Sequence, residues 1–279
     1  MKPFICLGSG YLPELKLENI CSIASDAGFK GVELWVELPD IWEKLCKNFN
    51  QGIKYVRETI EKFDLIITIH GAANDINLSS YNPKVRKITI EELTENIKFC
   101  GQIGAEILTI HSSTTFKEAP TEWDIEYFTE GIRELLPFCE DYDVKLSIET
   151  PKIEDTQAVV TPEIIAQCMK IHEKVWVTYD TSHVIGHQRN YSEGLKIAEK
   201  LREKILEMHL AWNNSKGQNT HAPLQTCQDS QFFDMLKIVY SYCNNLKFVV
   251  FEIDNLNEQK DKISILEHEL KIARELFTP

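Results

Sequence analysis

Short apolar runs rich in β-branched residues recur along the chain, each followed by a stretch with apolar positions at helical spacing. The runs are FICLG (4–8), GVELW (31–35), LIITIH (65–70), EILTIH (106–111), VKLSIE (144–149), VWVTYD (175–180), ILEMHL (205–210) and FVVFEI (248–253). Their apolar residues continue rather than alternate, which predicts strands buried on both faces. The intervening patterns predict helices over 17–27, 55–63, 90–102, 125–142, 162–172, 191–203, 232–243 and 263–277. Gly28 stands where the first helix needs a left-handed C-cap, and Thr161–Pro162 reads as an N-cap with proline at the first helical position.

Eight strand–helix pairs with no leftover element predict parallel strands joined by right-handed crossovers and closed into a (β/α)8 TIM barrel. A doubly wound sheet is the alternative, but no glycine fingerprint follows the first run. No Pro/Gly/Ser-rich linker interrupts the 279 residues, so the reading is one α/β domain over 1–279. The longest connections follow strand ends, from His70 to about Lys87, over 210–230 and over 111–124.

Candidate chemistry sits at those same ends. Glu33, His70, His111, Glu149, Asp180, His209 and Glu252 stand in the C-terminal part of seven consecutive runs, and barrels build their sites at this rim. His183 and His221 lie in the connections that follow Asp180 and His209. A polar side chain in the last position of a buried strand is costly unless something compensates it. Converging carboxylates repel unless a cation sits between them, and carboxylate with imidazole suits Mn, Co, Zn or Mg. Taken singly, a strand-end His or Glu is ordinarily structural; Glu33 is read that way, with substrate contact as its alternative. His172 and His268, beside glutamates in helices, read as solvated.

Composition narrows the partners. Thirty basic and 43 acidic residues give a net charge of −13, which argues against a broad nucleic-acid or acidic-membrane footprint. Eight cysteines without a CxxC pair read as reduced core residues, as in a cytoplasmic protein. No run of 18 apolar residues is present, and MKPFICLGSG lacks the apolar core and cleavage site of a signal peptide. Trp212 is a candidate to stack on an apolar sugar face; Trp35, Trp42 and Trp123 are open to the same reading.

Several segments together carry a family resemblance: IHGAANDINLSS (69–80), NPKVRKITIEEL (82–93), IGAEILTIHSS (103–113), SIETP (147–151), YDTSHV (179–184), MHLAWN (208–213), NTHAPL (219–224) and FEID (251–254). The chain resembles, over nearly its whole length, the xylose isomerase-like TIM barrels. That superfamily includes sugar and sugar-phosphate isomerases and epimerases and the endonuclease IV type of AP endonuclease. In the epimerase branch the resemblance implies one divalent ion on Glu149, Asp180, His209 and Glu252. Glu149 and Glu252 double there as the acid–base pair, working through a cis-enediolate of a small keto-sugar, polyol-derived ketone or sugar acid, with His183 bonded to substrate.

In the nuclease branch it implies three zinc ions: one on His70, His111 and Glu149, one on the quartet, and one on His183, His221 and an Asp two residues earlier. Asn219 stands at that last position, and the loops are not rich in Arg or Lys. One ion and a sugar-like substrate are therefore the expectation, with zinc-dependent phosphodiester cleavage as the alternative. Other chemistry on the same site, such as dehydration of an inositol-derived ketone, and a catalytically silent sugar-binding barrel complete the set. Relatives that form dimers or tetramers leave a homo-oligomer open.

Overall fold

The structure is a computed structural model that describes residues 2–152, 155, 158–213, 221–254, 256 and 261–277. The first half runs β1 (Phe4–Gly8), α1 (Leu17–Ala27), β2 (Gly31–Trp35), α2 (Pro39–Lys47), α3 (Phe49–Phe63), β3 (Ile66–His70), α4 (Pro83–Ile103), β4 (Ile107–Ile110) and α5 (Glu122–Asp141). The second half runs β5 (Lys145–Glu149), α6 (Pro162–Cys168), β6 (Val175–Asp180), α7 (Thr181–Ile185), α8 (Tyr191–Leu201) and β7 (Ile205–Leu210). It ends with β8 (Trp212–Asn213), β9 (His221–Ala222), α9 (Ser230–Tyr242), β10 (Phe248–Phe251) and α10 (Lys262–Leu276). Eight parallel strands close in the order β1-β10-β7-β6-β5-β4-β3-β2, the (β/α)8 barrel that the alternating pattern predicts.

Local chemistry sets the element ends. Gly28 and Gly104 close α1 and α4 at φ 88 and 81, a backbone region where a side chain is strained. Asn82 caps α4 through Lys84 N, and Pro83 occupies its first position, so this helix begins seven residues before the periodic run suggests. Thr121 and Asp124 form a capping box on α5, with Thr121 N donating to Asp124 Oδ2 at 2.7 Å. Among the described residues, four of these elements lie outside the eight-fold expectation: α2, the single turn α7, and the antiparallel strands β8 and β9 in the connection after β7.

The barrel interior is layered. At its base Cys6, Ile107, Leu206, Phe248 and Val250 form an apolar plug backed by Ile66 and Trp176. Lys145 and Lys247 both pair with Glu106 there. Strand register then stacks two polar layers above the plug. Glu33 pairs with Thr68 and Thr178 with Glu207; one step up, Trp35 pairs with His70 and Asp180 with His209. Seven of the eight cysteines are buried and all are free. No helix among the described residues is long and apolar enough to cross a membrane.

Glu269 of α10 reaches under the loop after β9, accepting from Leu224 N at 2.7 Å and Gln225 N at 2.9 Å. Burial pushes its carboxyl up to about 7, against the pull of those two donors. A carboxyl raised in the folded state binds more protons folded than unfolded. Its stabilisation is therefore full below about pH 4.5 and is lost as pH rises through about 7. Glu269→Gln is expected to remove up to ~3 kcal/mol of the stability difference between pH 4.5 and pH 8. Urea titrations at the two pH values would show it; an unchanged difference would place the pH dependence elsewhere.

Candidate metal centre at the barrel mouth

The upper polar layer opens into a cavity of about 390 Å³, within the size range of small-molecule sites. Its walls include Tyr11, Trp35, His111, Glu149, His183, His221, Glu252 and Asp254. The strands bring Glu149, Asp180, His209 and Glu252 together although their sequence positions span a hundred residues. His209 Nδ1 lies 3.5 Å from Glu149 Oε1, 3.5 Å from Glu252 Oε1 and 3.9 Å from Asp180 Oδ2. His209 Nδ1, Asp180 Oδ2 and Glu252 Oε1 are buried and make no hydrogen bond. Two ligands bound about 2.1 Å from one ion at near-tetrahedral angles lie roughly 3.4 Å apart, so these spacings suit a shared cation.

The remaining atoms of the quartet are held from outside. Asp180 Oδ1 caps α7, accepting from His183 N at 2.7 Å and from Ser182 Oγ at 2.8 Å. Glu252 Oε2 meets His221 Nδ1 at 3.1 Å. Glu149 Oε2 meets His111 Nε2 at 3.0 Å and His70 Nε2 at 3.5 Å. His70 Nδ1 donates to Gly71 O at 2.9 Å, and its Nε2 lies 3.1 Å from His111 Nε2. His183 Nδ1 donates to Thr150 O at 3.0 Å, so its Nε2 is the free ring nitrogen.

Electrostatics make the same demand. Burial opposes charge on His209, but Glu252, Glu33 and Glu149 outweigh it and hold the ring well above the ordinary imidazole value. Burial would raise Glu252, yet His209 and His221 bring it down to about 2. Burial works against a charged His183 too; Asp180 and Glu149 nonetheless carry it up to about 9. The carboxylates thus take up whatever positive charge is within reach. Three anionic side chains, one imidazole and three unpartnered atoms fit a divalent ion.

Around this quartet the other candidates fall into three further groups, one of them Glu33 with His209 and Glu252. His70, His111 and Glu149 have ligand atoms close enough for one ion, and so do Asp180, His183 and His221. Asn219, where the nuclease pattern has Asp, lies outside the described residues.

Two sequence candidates are corrected. Glu33 does not face the mouth: it lies one layer below, fully buried, with Oε1 3.1 Å from His209 Nε2. Trp212 is not a sugar platform either. It is 3% exposed, packed on Phe232 at 4.9 Å and covered by the Arg189 guanidinium. The aromatic wall is instead Trp35, stacked on His70 with ring centroids 3.9 Å apart, and Tyr11. Tyr11 OH lies 3.0 Å from His221 Nδ1, a partnership 210 residues apart that no sequence pattern announces. Trp123 is exposed away from the cavity, and Trp42 lines a separate groove beside α2.

Gly10 keeps the Trp35 stack in place. A Cβ there would overlap Trp35 Cε2. Gly10→Ala is expected to push the indole off His70 at a cost of about 1–3 kcal/mol and to shift the tryptophan emission. Unchanged emission and stability would show that the loop after β1 yields instead.

Fold and site define a (β/α)8 barrel with a carboxylate–imidazole centre at its C-terminal mouth. The chain belongs to the xylose isomerase-like TIM barrel family, whose profile matches residues 21–241. An uncharacterized protein of Methanocaldococcus jannaschii is 26% identical over 191 residues, 63% of this chain and 62% of that protein, so the chain spans less than two thirds of that relative. A protein named probable endonuclease 4, from a Sulfurihydrogenibium species, is 20% identical over 220 residues, 75% of this chain and 77% of that one. Among solved structures, a D-tagatose 3-epimerase-like protein is similar with a TM-score of 0.77 at 21% identity, covering 99% of each chain. The IolI protein, solved with a zinc atom, has a TM-score of 0.77 at 14% identity, covering 99% of this chain and 98% of that one.

Proposed function

We propose that the protein is a divalent-metal-dependent epimerase or isomerase of a small keto-sugar or related polyol ketone. The observation that carries this is the approach of two carboxylates, Glu149 and Glu252, to His209 Nδ1 from strands separated in the barrel by β6 and β7. Two carboxylates on different walls of one cavity can take a proton from one face of a carbon and return one to the other. A bound divalent ion would polarise the substrate carbonyl and offset the charge that develops on its oxygen.

The chain's own side chains do the rest. Glu149 removes the proton from the carbon beside the carbonyl, which becomes planar, and Glu252, having taken up a proton from solvent, delivers it to the opposite face; Glu149 then releases its own proton to solvent, and the reverse reaction exchanges the roles. His183 Nε2 and the Tyr11 hydroxyl are placed to bond substrate hydroxyls. Trp35 supplies a flat apolar wall for a sugar face.

Charge favours a neutral substrate. Glu149, Glu252, Asp155 and Asp254 line the cavity against Lys152, so one divalent ion leaves it negative. A second reading, phosphodiester cleavage on a trinuclear zinc centre, is favoured by the two additional ligand groups around His70–His111 and His183–His221. Three ions would turn the same cavity positive and suited to a phosphate. Elemental analysis with assays in deuterated water separates the two. One ion per chain and solvent deuterium entering a ketose beside its carbonyl support the first reading. Three zinc ions and cleavage of duplex at an abasic site overturn it.

A further inference from the structure

The layer beneath the mouth is unusual for a barrel, where branched apolar side chains ordinarily fill the interior. Here Glu33, Thr68, Thr109, Ser147, Thr178 and Glu207 are all fully buried. Thr109 Oγ1 donates to Glu207 Oε1 at 2.7 Å, Thr109 and Thr178 meet at 2.8 Å, and Ser147 and Thr178 at 2.6 Å. Glu33 Oε2, Glu207 Oε2 and Thr68 Oγ1 make no hydrogen bond. Two buried carboxylates are expensive, and apolar residues of similar volume would pack the same space without that cost.

Above the layer stands the imidazole of His209. His209 Nε2 lies 3.1 Å from Glu33 Oε1 and 3.7 Å from Glu207 Oε1, while Nδ1 on the opposite edge faces Glu149, Asp180 and Glu252. We propose that Glu33 is a positioning residue of the metal centre, an acidic floor that accepts a hydrogen bond from His209 Nε2–H, holds the proton on that nitrogen and so presents Nδ1 as a lone pair to the ion. The inference rests on the metal reading above. An outer carboxylate on a ligating histidine fixes its tautomer and ring angle and makes the ligating nitrogen more basic. Glu207 is the lesser member of the pair, because its nearer oxygen is already held by Thr109.

The test is metal affinity, read by competition with a chromophoric chelator for Co²⁺ and Zn²⁺. Glu33→Gln is expected to weaken binding about 10–100-fold, and Glu207→Gln by less. Glu33→Asp, which keeps the charge but draws it back from Nε2, should fall between wild type and Glu33→Gln, and it serves in place of the amide variant if that does not fold. The visible spectrum of bound Co²⁺ should shift in the Glu33 variants, which a purely structural role would not cause. Unchanged affinity and spectrum in the folded Glu33 variants, with wild type binding normally, overturn the role of Glu33 alone. A wild type that binds neither ion overturns the metal reading, and this inference with it.

Discussion

Glu149→Gln should lower epimerisation by about 10³-fold or more, since one substitution removes both a positioned base and an anionic ligand. Glu252→Gln should do the same, and the two losses should differ in a way that a shared structural defect could not produce. If Glu149 serves one face of the reacting carbon, its amide variant stops solvent deuterium from entering the epimer whose proton points to that face. The other epimer should still exchange, because Glu252 remains to remove its proton, although the product cannot form. Glu252→Gln should show the mirror pattern. Deuterium incorporation into each epimer, followed by NMR for both variants, is the measurement. Full epimerisation in either variant removes that carboxylate from the chemistry. Equal loss of exchange from both epimers in both variants assigns the pair to ion binding alone.

The asymmetry has a structural basis. Glu149 is held among His70, His111 and His183, whereas Glu252 is held by His221, itself bonded to Tyr11. The two carboxylates therefore share His209 but no other histidine partner. Each keeps its own orientation when the other is neutralised, so the variants should fold alike and differ only in the face they serve.

How far the sequence reached this site follows from what each residue's signal depends on. FICLG, GVELW, VWVTYD and ILEMHL match β1, β2, β6 and β7 residue for residue, because a strand buried on both faces writes an unbroken apolar run. Glu149, Asp180, His209 and Glu252 stood out because each interrupts or ends such a run. The same logic misplaced Glu33, which also sits in a run but two residues before its end; counted by pleat, Trp35 is the residue at the mouth. Glu207 carries no signal inside ILEMHL, since a single buried glutamate in an apolar strand gives no sign of whether it faces the barrel interior. Helix α2, an extra short element ahead of α3, buries only Ile41 fully and is not required by the eight-fold alternation. Tyr11 could not be found at all, because its role depends on a loop 210 residues away.

Removal of the ion should destabilise the fold measurably, for a reason local to the mouth. Without a cation, Glu149, Asp180 and Glu252 face one another beside His209 in a setting almost closed to solvent. Their repulsion is then relieved by drawing protons onto the histidines around them, His209 first. An ion that binds the folded chain and not the unfolded one stabilises by about 2.7 kcal/mol at a free concentration a hundred times its dissociation constant. For a chain of this size that corresponds to roughly 5–10 °C in Tm. Chelator-treated protein should melt lower by that amount, and Mn²⁺, Co²⁺ or Zn²⁺ should restore it in a concentration-dependent way. Asp180→Asn should abolish most of the response: its Oδ2 is one of the quartet oxygens without a partner, while Oδ1 already caps α7 and an amide oxygen can keep that cap. Identical melting with and without all of these ions would mean that the four side chains settle their charge by protonation alone, and a scaffold without a metal centre would be left.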